Sequence, residues 1–335
     1  MRRRLGERNR AGADLRQLSV TSPSTPGRVC PLRYRYGPGA IAAAPERPAE
    51  TLYVIGGLYG NLQALDAVEA MASAEPGPVT LCFNGDFNWF NVDSTSFRAI
   101  NERVLRRDAI LGNVEAELRA ASDAAGCGCA YPDAVPAAVV ERSNRIHARL
   151  KRTAAQHPGL LARLDALPMF ARYRVGAARI GVVHGDADSL AGWRFDVAAL
   201  DEPAQHAWRA QAFAQARVDV FASSHTCLPA MRSYALDGPK LVANNGAAGM
   251  PNARGSRCGM LTRIGTAPSP YASLYGERVC AAYVEALPIH YDDTAWRRCF
   301  LGNWPEGSAA WLSYFERITL GPEFRLQDPA DLAEA

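Results

Sequence analysis

The 335-residue chain has no apolar run approaching the ~20 residues that a membrane-spanning helix needs. Its opening, Met1-Arg2-Arg3-Arg4, is followed by no apolar stretch, which argues against a secretory leader. Net charge is also lacking: +3 gives no electrostatic case for a nucleic-acid partner. There are eight cysteines, too few and too scattered for a disulfide scaffold. Without a leader they are expected as reduced thiols in a cytoplasmic protein. No internal repeat is present. What remains is ordinary globular material, 48% hydrophobic and 21% charged, long enough for one large domain or two small ones.

Residues 1–28 are rich in Arg, Ser, Pro and Gly and are expected to be a disordered basic extension, with a basic contact arm as the alternative. Alternation at Leu32, Tyr34 and Tyr36 predicts an edge strand or a packed arm. A single domain is expected over 32–325, with a frayed tail over 326–335. Leu52-Tyr53-Val54-Ile55 reads as a short central strand running into a glycine-rich loop, Gly56 to Gly60. Asn61 is a good helix N-cap, and Leu62, Leu65, Val68 and Met71 follow at helical spacing.

Other short β-rich runs end in chemistry-bearing loops. Val79–Phe83 leads to Asn84-Gly85-Asp86, and Ala109–Leu111 leads to Gly112-Asn113-Val114-Glu115. Ala178–Val183 leads to His184-Gly185-Asp186, and Val218–Ala222 leads to Ser223-Ser224-His225-Thr226-Cys227. Helical spacing is read over 137–167 and over Asp201–Arg217. Asp237-Gly238 marks a hairpin. The Gly-containing stretch 119–136, with Cys127 and Cys129, reads as part of a lid spanning about 119–167. Strands alternating with helices argue for an α/β fold.

The ordered loops resemble the motifs of the calcineurin-like metallophosphoesterases. Gly57-Leu58-Tyr59-Gly60-Asn61 resembles D-x-H-G-N, and Gly85-Asp86 resembles the G-D motif. Gly112-Asn113-Val114-Glu115 resembles G-N-H-[DE]. His184-Gly185 resembles the lone-His motif, and Ser224-His225-Thr226-Cys227 resembles G-H-T-H. Asn245-Gly246-Ala247-Ala248-Gly249 resembles the loop that follows. The resemblance implies a four-layer α/β/β/α sandwich with a metal site at the strand ends.

Position by position, the resemblance implies one whole metal site: Asp86, Asn113, His184 and His225. The other site has lost its private ligands to Gly57, Tyr59 and Cys227, and Val114 stands where the family has its proton-donating histidine. A carboxylate, an amide oxygen and two imidazoles suit one Mn(II), Fe(II) or Zn(II). Asp86 and His225 are the expected catalytic metal holders. Tyr59, Glu115, Cys127, Cys129, Asp186 and Cys227 are candidates for substrate contact or for supporting the ligands, and Asp186 and Asp188 in particular for accepting an imidazole N–H. His147, His157, His206 and His290 fall outside the motifs and receive no role. The expected activity is hydrolysis of a phosphomonoester or phosphodiester. The alternatives are a silent metal- or ligand-binding protein and a non-hydrolytic metal/thiol enzyme. A small or phosphorylated substrate is the expected partner, with neither nucleic acid nor membrane.

Overall fold

The structure is a computed structural model describing residues 25–326. In chain order the strands are β1 (Glu46–Ala49), β2 (Thr51–Ile55), β3 (Val79–Asn84) and β4 (Asp108–Ile110). Then come β5 (Phe170–Val175), β6 (Ala178–Val183), β7 (Val220–Ser223) and β8 (Pro229–Leu236). The last are β9 (Gly238–Asn245), β10 (Gly259–Gly265), β11 (Tyr275–Val279) and β12 (Ala282–Ile289). They form two six-stranded sheets, ordered β1-β5-β6-β7-β9-β8 and β11-β12-β10-β2-β3-β4.

The helices are α1 (Pro38–Ala43), α2 (Leu62–Ser73), α3 (Ser94–Val104), α4 (Asn113–Ala116) and α5 (Ala137–Ala154). They continue with α6 (Pro158–Asp165), α7 (Val197–Asp201), α8 (His206–Ala216), α9 (Asp293–Asn303) and α10 (Ala309–Leu320). Each sheet has two apolar faces to cover. Leu52, Val54, Cys82 and Ile110 of one sheet meet Tyr173, Val175, Ile180, Val182 and Val220 of the other, all fully buried. Burying each such side chain is worth roughly 1.5–3 kcal/mol, which is enough to hold the sheets face to face. Outside one sheet, α2, α3, α5 and α9 bury Leu65, Phe97, Ile146 and Phe300. Outside the other, α1 and α8 bury Ile41 and Phe213. The four-layer α/β/β/α sandwich expected from the motifs is the observed architecture.

Parallel pairing aligns the strand ends. Ile55 lies opposite Phe83, Asn84 opposite Ile110, Val182 opposite Ala222, and Ser223 opposite Asn244. The motif loops therefore leave both sheets at one edge, where open α/β sheets bind ligands.

Several local expectations are refined. The expected N-terminal extension lies outside the described residues over 1–24. Residues 25–28 are fastened to the lid loop: Gly27 N donates to Ala125 O at 2.9 Å, and the Arg28 guanidinium donates to the carbonyls of Pro132 and Val135 at 2.6 Å each. The stretch at 32–36 is a packed arm rather than a strand. It makes a short 3-10 turn, Leu32–Tyr34, with one bridge from Arg35 to Ser189, and buries Tyr34 against Glu117. The helix expected from Asp201 instead ends there as α7, and α8 starts at His206. Pro203 between them cannot donate to a helical ladder. The expected tail lies outside the described residues beyond 326.

One buried charge network braces the sheet that carries β2. The Arg263 side chain, 2% exposed, donates to Glu75 (Nε–Oε1 2.7 Å) and Glu285 (Nη1–Oε2 2.8 Å). The Tyr53 hydroxyl completes it with a 2.6 Å bond to Glu75. No helix among the described residues is long and apolar enough to cross a membrane.

Candidate metal centre

The loop after β3 places Asp86 with φ +54°, in the left-handed region, directly against Gly112. A Cβ on Gly112 would lie 2.2 Å from Asp86 Oδ1, so the G-N motif needs its glycine for close approach. Val114 N donates to that same oxygen at 3.1 Å. Burial by itself raises the Asp86 carboxyl, but the His184 charge and hydrogen bond outweigh it, helped by His225, and hold it below the usual range.

Backbone carbonyls decide which atoms face inward. Carbonyl oxygens only accept, so His184 Nδ1, 2.8 Å from Asn84 O, carries a proton. His225 Nε2, 3.1 Å from Cys129 O, carries one too. Asn113 Nδ2 donates to Cys127 O at 2.9 Å, which turns Oδ1 toward the histidines. Asp86 favours a proton on His184 Nε2; with that proton removed, as ligation requires, the inward atoms are all lone-pair donors. His184 Nε2 lies 3.1 Å from Asn113 Oδ1, 3.3 Å from Asp86 Oδ1 and 3.2 Å from His225 Nδ1.

Acceptor atoms facing acceptor atoms repel unless a proton or a cation sits among them. Ligands about 2.0–2.1 Å from a shared centre in a tetrahedron stand about 3.4 Å apart, close to these spacings. The ligand atoms of Asp86, His184 and His225 all lie within 4.8 Å of one another, and all three residues are buried. The residues present therefore fit a divalent cation. Burial and the His184 charge push His225 down to about 3, so its ring is neutral and its Nδ1 free to ligate near neutral pH. Burial opposes charging of His184, but Asp86 pulls its pKa above the usual value.

Glu115 holds the Asp86 loop rather than a histidine. Its Oε2 accepts from Asp86 N at 2.8 Å and Gly112 N at 3.3 Å, while Oε1 accepts from Asn88 N and Nδ2 at 3.2 Å each. Burial, then the Asp86 charge, push the Glu115 carboxyl up to about 7. Asp186 is corrected as an imidazole acceptor. Its carboxylate takes the backbone N–H groups of Asp188, Ser189 and Arg194 and shapes its own loop. Asp188 likewise accepts from the Trp208 indole at 2.8 Å, away from the histidines.

Beside this cluster, the place of the lost ligands is filled. Tyr59, also at positive φ, lays its ring over Gly57, where a Cβ would meet Tyr59 Cζ at 2.8 Å. The Tyr59 hydroxyl lies 2.8 Å from Cys227 Sγ. Burial raises both groups, so they stand as a neutral phenol and thiol. Gly57, Tyr59 and Cys227 thus converge at one spot next to Asp86, as the motif alignment expects. The change Gly57→Asp alone should destabilise the fold, because it meets the Tyr59 ring and a φ of +64°. Combined with Tyr59→His and Cys227→His, it should give a chain that binds a second Mn(II) or Zn(II). Elemental analysis of protein shown folded by circular dichroism checks this, and an unchanged metal count in the folded triple variant would contradict the convergence.

The lid closes over both places. A cavity of about 50 Å³ is left, bordered by Tyr59, Trp89, Tyr131, Trp193, Cys227 and Tyr314 around Asp86, Asn113 and His225. The sulfurs of Cys127 and Cys129 lie in contact, placed as the two partners of a disulfide, where two separate free thiols were expected. Left-handed backbone at Gly126, Gly128 and Ala130 curls the loop and brings their Cα atoms to 5.4 Å. Their carbonyls hold Asn113 and His225, and Asn113 Nδ2 also lies 3.4 Å from Cys129 Sγ.

Two contacts carried no sequence signal. The Trp193 indole donates to Cys129 O at 3.0 Å and packs edge-on to His225. His147 of α5 donates to Val114 O at 3.0 Å, beside the place of the family's proton donor. Both depend on long-range packing against a backbone carbonyl, which no local motif encodes.

No family model matches the chain, and no curated protein matches it. Among solved structures it is similar to a hypothetical protein from Pyrococcus horikoshii OT3, at 15% identity, covering 82% of this chain and 99% of that one, with a TM-score of 0.53. It is also similar to a metallophosphoesterase from Sphaerobacter thermophilus, at 17% identity, covering 82% of this chain and 100% of that one, with a TM-score of 0.48. The chain shares the overall fold of the Pyrococcus horikoshii protein, in a sequence far diverged from it.

Proposed function

We propose that this protein is a metal-dependent phosphoesterase-like hydrolase working with a single divalent transition metal, Mn(II), Fe(II) or Zn(II). The observation that carries this reading is the convergence of Asp86 Oδ1, Asn113 Oδ1, His184 Nε2 and His225 Nδ1, each turned inward by a fixed partner, beside a place filled by neutral Tyr59 and Cys227. The chemistry such a cation supplies is polarisation of a phosphoryl oxygen and activation of water. Asp86 and His225 border both the cluster and the cavity, so they would hold the cation where a substrate arrives. Trp89, Tyr131, Trp193 and Tyr314 line the cavity and offer an apolar border to an apolar or aromatic substituent.

Val114 has no proton to give a leaving group, and His147 beside it spends its Nε2–H on the Val114 carbonyl. A positioned acid is typically worth about 10²–10⁴ in rate. The preferred substrates are therefore esters with good leaving groups. A second reading, a silent binder on the same fold, is supported by the small cavity and by Val114 at the donor position.

The two readings separate on a panel of aryl and alkyl phosphomonoesters and phosphodiesters, assayed with added Mn(II) and after chelation. Turnover that needs metal and favours aryl over alkyl esters at least ~10-fold is the expected result. Stoichiometric metal with no turnover across the panel would favour the binder.

A further inference from the structure

We propose that Cys127 and Cys129 form a reversible thiol–disulfide site that sets the metal affinity of the centre, with dithiols as its reaction partners. The inference rests on the metal reading above and goes beyond it. Both sulfurs are buried, at 0% and 6% exposure for their residues, yet Cys129 borders the cavity over the cluster. Their Cα separation of 5.4 Å lies in the ordinary ~4.4–6.8 Å range of a disulfide.

The pair is coupled to the ligands by direct contacts. Cys127 O holds the Asn113 amide at 2.9 Å, and Cys129 O holds His225 Nε2–H at 3.1 Å. Asn113 Nδ2 also lies 3.4 Å from the Cys129 sulfur. A two-residue crosslink therefore sits between the carbonyls that aim two of the four inward donors. The turn that carries it lies close against its neighbours at both glycines. A Cβ on Gly126 would lie 2.2 Å from Asn144 Oδ1, and one on Gly128 would lie 2.4 Å from the Tyr34 hydroxyl. Breaking the crosslink lets the two carbonyls move independently, and the donors they orient lose their aim.

The chemistry balances as thiol–disulfide exchange. One thiolate of the dithiol attacks Cys129 Sγ at the cavity wall, and the S–S bond breaks. Cys127 leaves as a thiolate and takes a proton. The second thiol of the reagent then displaces Cys129 from the mixed disulfide. The products are two cysteine thiols and the oxidised reagent, with two electrons and two protons transferred to the protein.

The experiment uses the full chain, stripped of metal, either left oxidised or reduced with dithiothreitol and then desalted without oxygen. Thiols are counted under denaturing conditions, and Co(II) binding is followed by its visible absorbance. The oxidised form should show two thiols fewer than the reduced form. Its Co(II) dissociation constant should be about 10-fold lower, in the range seen when a partner of a metal ligand is lost. Cys127→Ser with Cys129→Ser should bind weakly and ignore dithiothreitol, and Cys299→Ser, at an exposed position, should respond like the parent. If the double variant does not fold, Cys129→Ser alone removes the crosslink, and the two forms of the parent chain still make the comparison.

Equal affinity in the two forms, or a response that survives without Cys127 and Cys129, overturns the inference and leaves the metal reading standing. Absence of Co(II) binding in either form overturns both.

Discussion

Asp86→Ala should abolish metal binding and metal-dependent turnover together. The carboxylate is the only anionic donor among the inward-facing atoms, and a 2+ ion held by two neutral imidazoles and an amide would keep its charge uncompensated in a buried site. Losing a mere partner of a ligand typically weakens metal binding 10–100-fold, so losing Asp86 should weaken it by more than about 100-fold. A readout independent of activity is thermal unfolding. A ligand at 100 times its dissociation constant stabilises the native state by about 2.7 kcal/mol. Added Mn(II) should raise the melting temperature of the parent and leave that of Asp86→Ala unmoved. A metal-dependent shift that persists in the variant would mean that the cation sits elsewhere.

The second large effect is on stability. Arg263→Ala should destabilise the fold by about 3–5 kcal/mol, the usual consequence of removing one partner from a buried ion pair. Glu75 would be left buried beside the Tyr53 hydroxyl, and Glu285 would keep only the Ser269 amide. The charge also carries a pH signature. Burial raises Glu75, but Arg263 and Tyr53 outweigh it and hold the folded carboxyl below the usual carboxylate range. A depressed carboxylate contributes stability that is present above its unfolded pKa and is lost as pH falls through the folded one. Parent and Arg263→Ala should therefore differ most near neutrality, and the gap should narrow below about pH 4.5 as the Glu75 carboxylate protonates. Urea melts at pH 7 and pH 3 measure both. A loss under about 1 kcal/mol at pH 7 would show that the network is worth no more than surface pairs.

Local patterns determined much of this protein. The run Leu52–Ile55 and the cap at Asn61 each depend on neighbours in the chain, and each forms where its pattern predicts. The Asp237-Gly238 hairpin forms for the same reason. Asp86, Asn113, His184 and His225 could be selected in advance because the resemblance of their loops to the family motifs implies them, and parallel strands bring those loops to one edge. The edge strands β1 and β11 left no signal, because an edge position tolerates Pro48 and the polar Glu277 and Arg278, and so shows no apolar period.

Only the tertiary structure decided how the donors point. The carbonyls of Asn84, Cys127 and Cys129 choose the tautomers of His184 and His225 and the face of Asn113, and a carbonyl is the same whatever residue carries it. Nor could the sequence reveal that Tyr59 folds over Gly57 onto Cys227, or that the lid leaves about 50 Å³ above the cluster. Those outcomes depend on which surfaces meet when residues more than a hundred positions apart pack together, and no pattern within a single element specifies that meeting.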